Sequence, residues 1–299
     1  MAAAERQQIS TAPAAASTAV AALITGPAQP AEIIADFPVA TYLRVDTAVI
    51  ALVTPAAVRL PNALVCRDHV RRFSMITGTF HTMRVKSAGD HGGDGPVVVG
   101  DGGIQLGRAR VTVGRWWDPV PRLPAVTDPS ALGRAVDAMR SLLPAWPDPD
   151  EPAAGQLQAG REALASALAG GWSVDEAADR LVGLGPGLTP AGDDLLAGAV
   201  AGMVIFGRAL GRRSALVLAE QVTVAAGDRA ARTTVLAADL LRHAGTGAVA
   251  EPVATVCGAL TGQRPLESAL ERALTVGHTS GRDLAEGLLL GVTAALAAR

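Results

Sequence analysis

The chain has 299 residues, enough to bury a full core and to hold two domains; at 49% hydrophobic and 18% charged it reads as globular rather than disordered. Its 26 basic and 28 acidic residues give a net charge of −2, so no global field recruits nucleic acid or an acidic membrane surface. Cys66 and Cys257 stand in no CxxC or metal-ligand spacing, and read as buried small hydrophobes of a reducing cytoplasm.

The first residues are rich in Ala, Ser, Thr and Gln, with neither a cationic start nor an apolar core. They read as a frayed tail over 1–24 rather than a signal peptide. Residues 25–124 carry short β-branched runs between turn signals: Thr47–Val53, Ala63–Cys66, Pro96–Val99 and Ile104–Val113. Gly92-Gly93-Asp94-Gly95 and Gly100-Asp101-Gly102-Gly103 supply the later turns, which suggests a small barrel or antiparallel sheet. The alternation from Gln105 to Val113 suggests one half-buried strand with Arg108 and Arg110 on a shared face. Prolines 119, 121 and 124 then form a stiff connection.

From 125 to 299 the pattern is helical. Asp128-Pro129 starts a helix with Leu132, Val136, Met139 and Leu143 at helical spacing, and Ala153–Leu168 is a second. Ser173-Val-Asp-Glu176 is a capping box that opens a third helix, ending at Gly183. Further helices are expected after Thr189 and around 215–225, 232–243, 249–260, 265–276 and 280–298. The fold class is therefore α+β, a β-rich domain followed by an α-helical one. The one marginal apolar run, Leu195–Phe206, is too short to cross a bilayer, and a soluble cytoplasmic protein is expected.

The stretch least explained as bland core is Gly183-Leu-Gly-Pro-Gly-Leu-Thr-Pro-Ala-Gly-Asp-Asp-Leu-Leu-Ala-Gly198. Gly183, Gly185 and Gly187 let a backbone approach a ligand closely. Thr189 is expected to cap the following helix, with Pro190 at its first position. Gly192, Asp193 and Asp194 then fall beside the exposed amides and positive end of the dipole, a place suited to an anion or an anion with its metal. A capped helix alone would favour Asp there too, but it explains neither the three glycines nor the paired acids. Mg²⁺ could sit on Asp193 and Asp194; nothing else in the sequence asks for a metal, and adjacent helical residues point about 100° apart.

The same signal recurs. Gly277-His-Thr-Ser-Gly-Arg-Asp-Leu-Ala-Glu-Gly287 repeats Gly-x-Thr and then Gly-x-Asp-Leu-x-x-Gly, with a one-residue gap. Here Thr279 or Ser280 is expected to cap, Gly281 and Asp283 lie in the first turn, and Gly277 suits a left-handed helix end. Two such helices could aim their N-termini at one anion. His278, in the turn before the cap, is a candidate proton carrier, although a lone His is as often structural. Arg282 could pair with Glu286 one turn on, bind a carboxylate or phosphate, or simply lie on a solvated face. Arg232, Thr233 and Thr234 suggest an oxyanion-binding group, or a helix start; Arg232, Asp239 and His243 would share one helical face, as a salt-bridge row or a functional one.

Together, Gly183–Gly198, Arg232-Thr233-Thr234 and Gly277–Asp283 resemble the AllH family, over roughly residues 40 to 297, with all the specific motifs in the C-terminal half. The resemblance implies a part in carbamoyl transfer between carbamoyl phosphate and oxamate, giving oxalurate and phosphate or running in reverse. It implies further subunits, one of them FdrA-like, and a small anionic substrate; a homo-oligomer is compatible with it. The Ser-x-Arg-Thr-Arg phosphate loop of ordinary transcarbamoylases is missing, and Arg232-Thr233-Thr234 is at most a loose analogue. On this reading the amides after Gly187 and Gly277, with Thr189, Thr279 and Ser280, bind the anion. Asp193 and Asp194 orient the substrate amine or hold Mg²⁺, and His278 moves the proton. The rivals are a non-catalytic helical scaffold or docking subunit whose glycines serve close packing, and a small-anion-binding protein of an unrelated pathway. Nucleotide binding is disfavoured, since Lys86 is the only lysine and no Walker motif holds it.

Overall fold

The computed structural model describes residues 10–67, 84–85, 96–147 and 153–299. The chain divides into two compact units, 1–118 and 119–299. The Gly92–Gly95 turn and residues 1–9 lie outside the described residues.

In the first unit the strands β1 (Ser10–Ser17), β2 (Gln29–Pro30), β3 (Glu32–Phe37), β4 (Ala40–Val45), β5 (Ala48–Val53), β6 (Ala63–Cys66), β7 (Arg84–Val85), β8 (Val97–Gly100), β9 (Gly103–Leu106) and β10 (Ala109–Trp117) form one sheet. Its order is β2-β8-β9-β10-β1-β6-β5-β4-β3-β7, and it curls into a nearly closed barrel. The sheet is mixed: β1 runs parallel to β10, and β5 parallel to β6. Alternate residues of β5 serve two faces. Ile50 and Leu52 join a core with Leu43, Leu64, Ile104 and Val111, whereas Ala51 and Val53 pack with Ala40 and Ala63.

Two local expectations are corrected. Residues 10–24 are not a tail: Ser10–Ser17 is a central strand paired on both sides, followed by a helical turn and α1 (Ala21–Thr25). Its inward residues Ala12, Ala14 and Ala16 alternate correctly, but alanine is too weak a signal to show the period. The single strand expected over Ile104–Val113 is a hairpin, β9 and β10, turning at Gly107-Arg108. The continuous alternation runs through both arms, so it conceals the turn between them.

Among the described residues the second unit holds nine helices: α2 (Pro129–Leu142), α3 (Ala154–Leu168), α4 (Val174–Leu181), α5 (Ala191–Leu210), α6 (Arg213–Gly227), α7 (Val235–Thr246), α8 (Glu251–Leu260), α9 (Leu266–Leu274) and α10 (Ser280–Ala297). Asp128 caps α2 and Ser173 caps α4 through their side-chain oxygens, as their positions suggested. Helix α5 is buried from Ala191 to Gly207, as its all-round apolar sequence requires. No described helix is long and apolar enough to cross a membrane.

Helix α5 packs chiefly on α10, and this crossing places the two repeated motifs together. A Cβ on Gly198 would fall 2.2 Å from the Leu284 carbonyl oxygen, and one on Gly287 2.1 Å from that of Leu195. Gly202 and Gly291, four residues further along each helix, face the partner backbone in the same way. The shared Gly-x-Asp-Leu-x-x-Gly pattern is thus, first of all, a device that lets two helices touch backbone to backbone. Gly192 and Gly281 extend the parallel: each sits against the C-terminal end of the preceding helix, α4 at Leu181 and α9 at Ala273. The helical unit therefore contains two copies of a helix–loop–helix element, α4–α5 and α9–α10, joined through their second helices.

Candidate anion cradle at the paired helix starts

Because α5 and α10 cross closely near their starts, the two motif loops meet. Thr189 Oγ1 and Ser280 Oγ share a hydrogen bond of 2.9 Å. This corrects the capping expected of these residues. The N-cap of α5 is Pro190 and that of α10 is Thr279, and neither helix start has a side-chain cap. Gly192 N–H bonds the Leu184 carbonyl, while Asp193 and Asp194 N–H bond that of Pro190. The hydroxyls are left to face each other across the two copies.

Among the described residues, no protein acceptor is hydrogen-bonded to the N–H groups of Gly185, Gly187, Leu188 and Thr189 in one loop, or of Gly277, His278, Thr279 and Ser280 in the other. Gly185 and Gly187 adopt φ of +113° and +95°, and space is open around the Gly187 α-carbon. Free amides at two dipole-positive helix starts are an anion-binding arrangement.

The two aspartates have separate surroundings. Asp193 Oδ2 accepts from Gly183 N–H at 3.0 Å and from Thr233 Oγ1 at 2.7 Å, so it ties the glycine loop to the segment before α7. Burial raises its carboxyl above the usual range, and those two hydrogen bonds oppose the rise. Asp194, 5% exposed, lies against the hydroxyls of Ser280 and Thr189. Burial pushes its carboxyl well above the ordinary value; the Ser280 hydroxyl opposes this, and Asp283 and Asp193 add to it. Asp194 Oδ2 is buried and receives no hydrogen bond from the described residues.

Asp283 holds the position in α10 that Asp194 holds in α5. It is fully buried, and its Oδ1 accepts from the indole N–H of Trp146 at 2.6 Å. One turn along, Glu286 is also buried and accepts from Arg161 Nε of α3 at 2.6 Å. Neither Trp146 nor Arg161 was legible as a site residue. Trp146 is 137 residues from its partner, and nothing local marks the contact.

Arg232, Thr233 and Thr234 brace the loop from outside. Thr234 caps α7 through Ala237 N–H at 3.0 Å and donates to the Leu188 carbonyl at 2.5 Å. The Arg232 guanidinium binds Asp179, at Oδ1 (3.0 Å) and at the backbone carbonyl (2.7 Å). It lies in the turn before α7, apart from the expected face with Asp239 and His243; those two stand 3.6 Å apart within α7. Asp179 is held below the usual carboxylate range, first by the hydrogen-bonded Arg229 beside it. His278 is exposed in its turn. Among the described residues, no group of three or more His, Cys, Asp or Glu stands where it could hold a metal ion.

Fold and site together define a class: an α+β chain in which a nearly closed β barrel precedes a helical unit built around a paired helix-start motif. Residues 181–292 match the family model described as oxamate carbamoyltransferase subunit AllH. That span contains both motif loops and the Arg-Thr-Thr segment, and it bears out the resemblance read from those residues. No solved structure matches the chain.

Proposed function

We propose that this chain is the AllH-like subunit of a carbamoyltransferase, acting on carbamoyl phosphate and oxamate, or on oxalurate and phosphate in reverse, together with other subunits of the FdrA-like kind. The observation that carries this reading is the meeting of two glycine-bearing loops ahead of α5 and α10, in which the N–H groups of Gly185, Gly187, Leu188 and Thr189, and of Gly277, His278, Thr279 and Ser280, have no acceptor among the described residues. Carbamoyl transfer needs stabilisation of the phosphate leaving group and of the tetrahedral oxyanion more than it needs a covalent nucleophile. The loop amides supply such donors, and exposed His278 would move the proton. Asp193 acts by holding the loop, since its outer oxygen is taken by Gly183 and Thr233.

A scaffold role is the second reading, favoured by the backbone contact at Gly198 and Gly287. Calorimetry separates the two. The isolated chain is titrated with phosphate, carbamoyl phosphate and oxamate, with and without Mg²⁺. Binding that is lost in Gly187→Val supports the cradle. No heat in any combination, with full activity of Gly187→Val in the assembled complex, assigns the chain to scaffolding.

A further inference from the structure

The glycine loop before α5 is pinned at its two ends and held at one point between them. At the first end Leu184 N–H bonds the Leu181 carbonyl, and Gly183 N–H bonds Asp193; at the other, the Pro190 carbonyl accepts from Asp193 and Asp194 N–H. From Gly185 to Thr189, among the described residues, the backbone makes one hydrogen bond: the Leu188 carbonyl accepts from Thr234 Oγ1 at 2.5 Å. The Leu188–Thr189 peptide is trans, so its N–H points opposite to its carbonyl. Thr234, at the start of α7, therefore turns the Thr189 N–H away from α7. Pro186 and Gly187 are exposed and Thr189 is half-buried, so a solute can reach this stretch.

Thr234 is itself held. It ends the connector 228–234 between α6 and α7, whose backbone lies on the loop: a Cβ on Gly183 would fall 2.1 Å from the Arg232 carbonyl oxygen. Thr233 reaches Asp193 at 2.7 Å. Arg229, mostly buried, gives two N–H groups to the Asp179 carboxylate at 2.7 and 3.0 Å and one to Asp175 at 3.1 Å, and Arg232 binds Asp179 as well. Such a two-pronged pairing fixes direction as well as distance. Both aspartates belong to α4, the helix that leads into the loop. Connector, helix and loop are thus braced as one unit.

We infer that the 228–234 connector is a positioning strap, and that Thr234 orients the Leu188–Thr189 peptide so that the Thr189 N–H is presented to a bound oxyanion. The role rests on the cradle reading above. It makes Thr234 a positioning residue that acts through the loop backbone rather than one that touches the anion. An N–H aimed at a charged acceptor is worth at least about tenfold in affinity.

Calorimetry of the full chain with inorganic phosphate tests this with three variants. Thr234→Gly removes the hydroxyl but leaves a residue that a helix N-cap tolerates, so α7 keeps its start. Its phosphate affinity is expected to fall at least about tenfold. Thr234→Ser keeps the hydroxyl and should stay within about twofold of the unaltered chain. Asp179→Asn slackens the strap at an exposed side chain. Removing a negative charge would by itself tighten anion binding, whereas a slackened loop weakens it; a loss of at least about threefold is expected. Undiminished affinity in Thr234→Gly or Asp179→Asn, or a loss in Thr234→Ser as large as that in Thr234→Gly, overturns the assignment while the cradle stands. No binding of phosphate by the unaltered chain removes the cradle and the strap's role together. Should Thr234→Gly fail to fold, Asp179→Asn decides the matter.

Discussion

Replacing Gly198 with alanine tests whether the two motif helices touch through their backbones. In an ordinary helix interior the change stabilises, since alanine is about 0.8–1.0 kcal/mol better than glycine. Here the new methyl would stand 2.2 Å from the Leu284 carbonyl oxygen and 2.8 Å from Leu288 N, both backbone atoms of α10 that no rotamer change can move. Relief requires α5 and α10 to separate by about 1 Å, an overpacking that costs typically 1–3 kcal/mol and sometimes more. That cost exceeds the propensity gain over most of its range, so the net effect is a loss of up to about 2 kcal/mol. For a unit of this size a loss of about 2 kcal/mol lowers Tm by roughly 4–8 °C. Gly133 in α2 is the control: nothing stands within 4 Å of its virtual Cβ, so Gly133→Ala should gain up to about 1 kcal/mol. Urea denaturation followed by circular dichroism at 222 nm reads both, since the helical unit dominates that signal. Gly198→Ala as stable as the unaltered chain, or more so, would refute the close crossing.

Three further outcomes follow from the same coordinates. Asp194 has a folded pKa above its unfolded one, so the folded state keeps a proton that the unfolded state has lost. The unaltered chain therefore loses stability as pH rises from the ordinary aspartate range through the folded pKa, whereas Asp194→Asn does not titrate there. Stability curves from pH 4 to 8 should show the variant gaining on the unaltered chain with rising pH, and a difference independent of pH would count against the buried acid. Arg161→Ala leaves buried Glu286 without its cation and should cost about 3 kcal/mol, whereas Arg140→Ala, which breaks an exposed pair with Asp137, should cost about 0.5 kcal/mol at most. Equal costs in denaturant titrations would contradict the burial of Glu286. Burial pushes the Cys257 thiol up to about 12, so in the native protein at pH 8 it should react with a thiol reagent far more slowly than after denaturation. Rapid native labelling of Cys257, located by mass spectrometry, would show that it is accessible.

Much of the helical unit was legible in the sequence because its signals are local. Asp128-Pro129 and Ser173 mark helix starts by chemistry that needs no tertiary partner, and both side chains cap where expected. Thr189 carried the same mark and does not cap: Pro190 holds the N-cap position, and the Thr189 hydroxyl bonds that of Ser280, 91 residues away. The repeated motif was legible as a repeat; that its glycines join α5 to α10 was not, since sequence periodicity gives a helix a face but no partner. Strand β1 escaped detection because its inward side chains are alanines, and its place in the sheet is fixed by β6 and β10, far along the chain. The glycine loop was located from sequence, but its two aspartates looked interchangeable there. Only the fold separates Asp193, tied to Gly183 and Thr233, from Asp194, which keeps an oxygen free of donors.

The most direct test of the paired helix-start site is a structure of the chain determined with oxamate at saturating concentration. The ligand is expected between the α5 and α10 N-termini, its carboxylate about 3 Å from loop N–H groups between Gly187 and Thr189 or between Gly277 and Ser280. Oxamate bound elsewhere, for instance in the groove lined by Val204, Arg208, Leu216 and Glu220, with the paired helix starts empty, would contradict the account.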